Sequence, residues 1–406
     1  MPEHAGDNLD QRRPHRILLV TPSSPYPPTS GGAQRTALLH DTLCAHGDVD
    51  LLVFQPTPDL AHPLSDRYRL VDEHAERSAG RKLWSRVAST VAPNLHAASR
   101  DPVLRRAVDR VLAARAYDTV VLRYSSTACR LFGLNLRHPE LNILVDVDDS
   151  LSRLVRQSQN LKRHRSIYIR LVEGLERRAL CASNGLWVVG PRLPWMDDVT
   201  APLSVELPNI AFGAAEKEKR SEPNEASTST IFIGVAQFRY RANEEGFDWF
   251  VTQVWPLIRN KLPMARLRLV GMPPVRRVLA RWRKTPGVEV VGQVESIEPE
   301  YADATVAIAP IQRGAGTKIK VIEAVAMGLP CVCSPHAAQG LDALSGLLVA
   351  DNSPSFADLC LSLANDPGSR ALLTERGKRE IDEHFSREIF AGAVGRLLHA
   401  SLALRK

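Results

Sequence analysis

Residues 313–332 read RGAGTKIKVIEAVAMGLPCV. Two cations, Arg313 and Lys318, flank a glycine-rich turn, and one carboxylate, Glu323, follows among apolar neighbours. Gly314 and Gly316 permit positive φ and close approach of a ligand to the backbone. A helix is expected from Thr317, ended by Gly328-Leu329-Pro330. Backbone N–H groups at such a helix start bind phosphate, aided by the macrodipole. Arg313 and Lys318 add charged donors at the same end. Ile319, Ile322, Val325 or Ala326, and Leu329 recur at helical spacing as a buried stripe. Glu323 borders that stripe and needs a partner. It either pairs with Lys320 at i, i+3, worth a few tenths of a kcal/mol, or faces a cleft and accepts hydrogen bonds from sugar hydroxyls. A phosphate cradle followed by a hydroxyl-binding carboxylate suits a nucleotide or a nucleotide-sugar.

Short apolar runs must position this segment. RILLVT (16–21), DLLVFQ (50–55), DTVVLR (118–123), LNILVDV (141–147) and GLWVVG (185–190) fill the first half. TIFIGV (230–235), RLRLVG (266–271), VEVVG (288–292), ATVAIAP (304–310), PCVCS (330–334) and GLLVA (346–350) fill the second. The runs are continuous rather than alternating, as in parallel strands buried on both faces. Helical spacing lies between them, so βαβ units are expected. The polar stretch AFGAAEKEKRSEPNEASTST (211–230) separates the two sets and reads as a linker. The expected organisation is a leader over 1–15, a first Rossmann-like domain over 16–210, a linker over 211–229, a second such domain over 230–386, and a C-terminal helix over 387–406 that packs back on the first domain. Ligands in such domains bind at the carboxyl ends of strands, so the cleft between them is the expected site.

The chain has 406 residues and a net charge of +7. No run is long and apolar enough for a transmembrane helix, and the first residues carry no secretory h-region. The six cysteines are scattered, without zinc spacing, and read as reduced core thiols. His40, His46 and His164 show no ligand spacing. VDVDDS (145–150) carries paired aspartates, the type that binds a divalent cation. Asp149 and Ser150 are equally good helix caps. VLRYSST (121–127) ends a strand, and Arg123 and Tyr124 there either reach an acceptor or serve the fold. No GxSxG, Walker A or nucleic-acid motif is present. Cationic residues crowd 153–192, from Arg153 to Arg192, with only Glu173 and Glu176 against them. With Trp84, that stretch suggests an anionic membrane surface; a solvated helix face is the other reading.

APIQRGAGTKIKVIEAVAMGLPCVCSPHAAQGL (309–341) resembles the donor-binding motif of retaining GT-B glycosyltransferases of family 4. RILLVTPSSPYPPTSGGAQR (16–35), LERRALCASNGLWVVGP (175–191), LPNI (207–210), FIGVAQFRYRANEEGFDWFVTQVWP (232–256) and VVGQVESIEPEYADATVAIAP (290–310) resemble further pieces in order. The resemblance spans nearly the whole chain and is strongest over 230–341. It implies an α/β GT-B fold, two Rossmann-like domains facing each other across a cleft. It implies transfer of a sugar from a UDP- or GDP-type nucleoside-diphosphate sugar to a glycan, lipid-linked or small-molecule acceptor, with retention and without metal or cofactor. Arg313, Lys318 and Glu323 are the implied catalytic residues. Donor binding falls to Gly31, Gly32, Arg241, Val294, Gly314, Ala315, Gly316, Thr317, Lys318 and Glu323, with Arg239 beside Arg241 in an entry loop. Arg123, Tyr124 and Asp148 fall on the acceptor side. The implied location is cytoplasmic, at the inner face of the plasma membrane.

One departure stands out. Typical members carry two glutamates eight positions apart, the first on the donor sugar and the second on the ribose. Glu323 matches the second, and Ala315 stands where the first belongs. The GxGT(R/K)xK turn of bacterial exopolysaccharide enzymes resembles this variant. Ala315 also permits a non-catalytic nucleotide-sugar-binding subunit, and a sugar-nucleotide epimerase of related fold is a third expectation.

Overall fold

The computed structural model describes residues 13–28, 30–54, 68–70, 98–148, 150–157, 165–190, 194–197, 202–211, 230–314 and 319–405. Strands β1 (Arg16–Thr21), β2 (Asp48–Val53), β3 (Tyr68–Leu70), β4 (Thr119–Arg123), β5 (Asn142–Val147), β6 (Gly185–Val188) and β7 (Leu203–Glu206) form one sheet. Its order is β3-β2-β1-β4-β5-β6-β7, and every pairing is parallel. Strands β8 (Ile231–Val235), β9 (Arg266–Val270), β10 (Val288–Gly292), β11 (Val306–Ala309), β12 (Cys331–Cys333) and β13 (Leu347–Val349) form the second. Its order is β10-β9-β8-β11-β12-β13, again all parallel. This is the α/β architecture of two Rossmann-like sheets that the apolar runs imply.

All eleven runs read from the sequence are strands. In the inner strands the central positions, such as Leu18, Val121, Leu144, Phe232, Leu269 and Val332, are fully buried, while the edge strands β10 and β13 are only half-buried. Each fully buried side chain contributes about 1.5–3 kcal/mol by leaving water, which is why continuous runs here choose the sheet interior. Strands β3 and β7 lie at the edges of the first sheet, where a short, partly polar strand has only one paired side.

Helices of eight residues or more are numbered α1 (Gly31–Cys44), α2 (Pro102–Ala114), α3 (Arg165–Cys181), α4 (Arg241–Trp249), α5 (Arg276–Lys284), α6 (Ile319–Ala326), α7 (Ser353–Asn365), α8 (Pro367–His384) and α9 (Arg387–Ala403). Helix α9 starts at the Ser386 cap and packs on β5, β6, β7 and α1 of the first sheet. The Trp187 indole donates to the Ala393 carbonyl at 3.2 Å, and Asn142 donates to Ser401 at 2.9 Å. The last helix therefore ties the end of the chain to the first sheet.

All six cysteines are free. Cys129, Cys331, Cys333 and Cys360 are buried thiols, but Cys44 is exposed on α1, so the reading of all six as core thiols is corrected there. Among the described residues no helix is long and apolar enough to cross a membrane.

Candidate functional site

Each sheet has a point where neighbouring strands send the chain to opposite sides: β1 beside β4, and β8 beside β11. A crevice opens at the carboxyl ends of such strands. The segments leaving these four strands carry most of the residues singled out in the sequence. The two edges meet at Gly31 and Ile319. A Cβ placed on Gly31 would lie 3.0 Å from Ile319 Cδ1, so the start of α1 abuts the start of α6.

Gly31 and Gly32 form the first turn of α1 rather than a loop, with Ser30 as the cap accepting from Ala33 N at 3.2 Å. The helix begins there because Ser30 takes one of its unpaired N–H groups. A Cβ on Gly32 would sit 2.6 Å from the Tyr124 hydroxyl oxygen, so glycine makes room for the phenol. Tyr124 has φ 73, the one positive value among the described non-glycine residues. Strained backbone of this kind concentrates at functional sites.

Beneath Tyr124 lies a buried charge cluster. Arg35 donates to both Asp146 carboxylate oxygens, at 2.7 and 3.1 Å, and to Asn209 Oδ1 at 2.8 Å. It also reaches the Pro208 and Leu207 carbonyls. Arg123 donates to Asp148 at 2.7 Å and to Thr36 at 3.0 Å, and its other nitrogen lies 3.0 Å from Asp146. The Arg123 guanidinium stacks on the Tyr124 ring at 3.9 Å. Burial pushes the Asp148 carboxyl up, but Arg123 and Arg35 overcome this and hold it below the usual range. Two carboxylates and two guanidiniums neutralise each other. The paired aspartates of VDVDDS thus face arginines, and Ser150 caps the following turn by accepting from Arg153 N at 3.4 Å. Asp146, weighed in the sequence as part of a metal-binding pair, is bound to Arg35 and Arg123 instead, and Arg35 and Asn209 belong to the site edge but escaped the sequence reading.

At the second edge, β11 runs into Pro310–Gly314. Gly314 has φ 122, and its carbonyl lies 2.7 Å from His336 Nε2. Ala315, Gly316, Thr317 and Lys318 lie outside the described residues, as do Asp149, Lys162, Arg163, His164 and Trp84. Arg241 is the first residue of α4, not part of a loop. Glu245 accepts from Arg241 Nε at 2.8 Å and pairs with Arg313 through its other oxygen. A Cβ on Gly246 would be 2.3 Å from the Pro310 carbonyl oxygen, so α4 lies directly on the turn.

Glu323 is 5% exposed, more buried than a border position. Its partner is Tyr301, whose hydroxyl donates to it at 3.2 Å. Lys320 instead donates to Asn243 Oδ1 at 2.7 Å. Burial pushes the Glu323 carboxyl up to about 7, against the Tyr301 hydrogen bond that favours the charged form. Val294 follows β10, half-buried against the second-sheet core. The edge thus offers an exposed Arg241, a half-buried Arg313, the positive-φ Gly314 and one buried carboxylate whose charge changes near neutral pH.

Residues 229–366, which hold the second sheet, match the family model described as glycosyl transferases group 1. Among curated protein sequences none matches the chain. Solved structures match over nearly the full length. Sucrose-phosphate synthase from Thermosynechococcus elongatus superposes with a TM-score of 0.71 at 17% identity, over 96% of this chain and 100% of that one. The chain has the GT-B fold. WaaG, a glycosyltransferase involved in lipopolysaccharide biosynthesis, gives 0.63 at 13% identity over 94% and 99%. A point mutant of S. aureus TarM, solved with fondaparinux, α-GlcNAc-glycerol and UDP, gives 0.64 at 11% over 94% and 99%.

Proposed function

We propose that the chain is a retaining, metal-independent glycosyltransferase of the family 4 type, using a nucleoside-diphosphate sugar of the UDP or GDP class. The observation that carries this is the second edge. A glycine turn with Arg313 leads into the helix bearing Glu323, inside the segment that matches the glycosyl transferases group 1 model. Glu323 would hold the ribose hydroxyls. Arg313, Arg241, Lys318 and the backbone N–H groups of the turn would hold the diphosphate. Arg123, Tyr124 and Asp148 would form the acceptor wall across the cleft.

In the proposed step, the bond between the sugar's anomeric carbon and the diphosphate oxygen breaks, and the diphosphate leaves with the electron pair. The acceptor hydroxyl oxygen bonds to the same face of that carbon. Its proton passes to the departing phosphate oxygen, so no separate general base is required. Arg313 and its neighbours neutralise the charge that builds on the leaving group. With Ala315 in place of a second carboxylate, the donor sugar is held by the turn's backbone.

Donor hydrolysis tests the reading: slow release of UDP or GDP supports transfer. Binding without turnover would point to a nucleotide-sugar-binding subunit, and a changed sugar without release to an epimerase.

The acceptor is proposed to be a glycan or a lipid-linked one, reached at the inner face of the plasma membrane. Helix α3 exposes Ile167, Arg170, Leu171, Arg177 and Arg178 on one stripe. Its two acids are engaged elsewhere: Glu176 accepts from Leu151 N at 2.7 Å, and Glu173 pairs with Arg156 at 2.6 Å. An apolar and cationic stripe fits an anionic lipid surface. Absence of binding to anionic vesicles at low salt would remove this part.

A further inference from the structure

Glu245 is a carboxylate set among the cations that the proposed donor site needs. It accepts from Arg241 Nε at 2.8 Å and pairs with Arg313. Its place is fixed by backbone packing. The next residue, Gly246, lies so close to the Pro310 carbonyl that a Cβ there would be 2.3 Å from the oxygen. Asn243, one turn earlier on α4, adds a second tie, taking a hydrogen bond from Lys320 at 2.7 Å and donating to the Gln237 carbonyl at 2.9 Å. Helix α4 is thus keyed to Pro310 at the end of β11 and to Lys320 in the first turn of α6.

Stability does not explain Glu245. Its side chain is 42% exposed and that of Arg241 is 69% exposed, and exposed ion pairs contribute little. Its effect is on the charge of the edge. Arg241 and Arg313 are drawn toward one carboxylate, which offsets their mutual repulsion and lowers the positive potential there. A diphosphate carries more negative charge than a carboxylate and offers oxygens to both guanidiniums. It therefore competes with Glu245 for the same donors and is repelled by it.

We propose that Glu245 is the exchangeable counter-ion of the donor diphosphate. This rests on the donor-site reading above. Glu245 holds Arg313 and Arg241 while the edge is empty and gives them up to the incoming diphosphate. It reclaims them as the nucleoside diphosphate product leaves. It weakens product binding and speeds product release.

The test uses the full chain and its Glu245→Gln variant. Calorimetry measures binding of UDP, GDP, ADP, dTDP and inorganic pyrophosphate, and displacement kinetics give the dissociation rate. The expected result is that Glu245→Gln binds the preferred nucleoside diphosphate at least fivefold more tightly and releases it correspondingly more slowly. The gain should shrink at high salt, as an exposed charge effect does, and vanish in an Arg313→Gln background. A merely structural role would give none of these. If the natural chain binds a nucleoside diphosphate and Glu245→Gln binds it equally or more weakly, the counter-ion role is overturned and the donor site stands. If neither protein binds any of the five ligands, the donor-site reading falls and the counter-ion role with it.

Discussion

The two edges of the cleft handle charge in opposite ways. At the first, Arg35, Arg123 and Asp146 are entirely buried, and Asp148 nearly so. Their charges are spent on one another, on the Leu207 and Pro208 carbonyls and on the Asn209 side-chain amide. At the second, Arg241, Glu245 and Arg313 remain within reach of water. A buried, mutually neutralised cluster cannot exchange partners cheaply, because each guanidinium left alone would be an unpaired buried charge. A solvated cluster can. The first edge is therefore suited to be a fixed wall, and the second a place where an anion enters and leaves.

Breaking the wall should have the largest effect. Asp146→Asn removes the charge shared by two buried guanidiniums and should cost about 3–5 kcal/mol of folding stability. Urea unfolding measures it; a loss under about 1 kcal/mol, the worth of an exposed pair, would mean that the two edges do not differ in kind. Arg313→Gln should do the reverse. Stability should stay within about 1 kcal/mol. Nucleoside diphosphate binding should fall by about 1.5–3 kcal/mol, the worth of hydrogen bonds to a charged group. A folded variant with unchanged affinity would take Arg313 out of the site.

The smallest effect is in pH. Glu323 has its carboxyl raised from 4.5 to about 7 by burial. Between those values the folded chain keeps a proton that the unfolded chain has released. The stability contributed by the neutral acid is present below pH 4.5 and lost as pH rises to about 7. Ribose hydroxyls bind best to the ionised form, so donor affinity should strengthen as pH rises through about 7. Titration across roughly pH 5.5–8.5, about this midpoint, checks the direction. A flat profile would separate Glu323 from the ligand.

The strands were legible because a sheet buried on both faces demands unbroken apolar runs. Strands β3 and β7 were not, since YRL and LSVE are too short and too polar to show that signature; β10 and β13 are edges too, but VEVVG and LLV keep enough apolar residues to be read. The second edge was legible because Arg313, Gly314 and Glu323 are close in sequence. Arg35 finds Asp146 across 111 positions and Asn209 across 174. The paired aspartates of VDVDDS signalled that a cation faces them, but not that guanidiniums from α1 and β4 supply it. Arg241 and Glu245 stand at i, i+4 and could be paired by spacing. The reach of Glu245 to Arg313 depends on Gly246 against Pro310, a contact that only the fold creates.

The central claim is that the second edge binds a nucleoside diphosphate with Glu323 on its ribose. Calorimetry with UDP and GDP on the natural chain and on Glu323→Ala tests it most directly, with both proteins shown folded by thermal melting. The account predicts that one of the two ligands binds the natural chain and that Glu323→Ala weakens it at least tenfold, about 1.4 kcal/mol. Equal affinity in the two folded proteins, or no binding of either ligand to the natural chain, would contradict it.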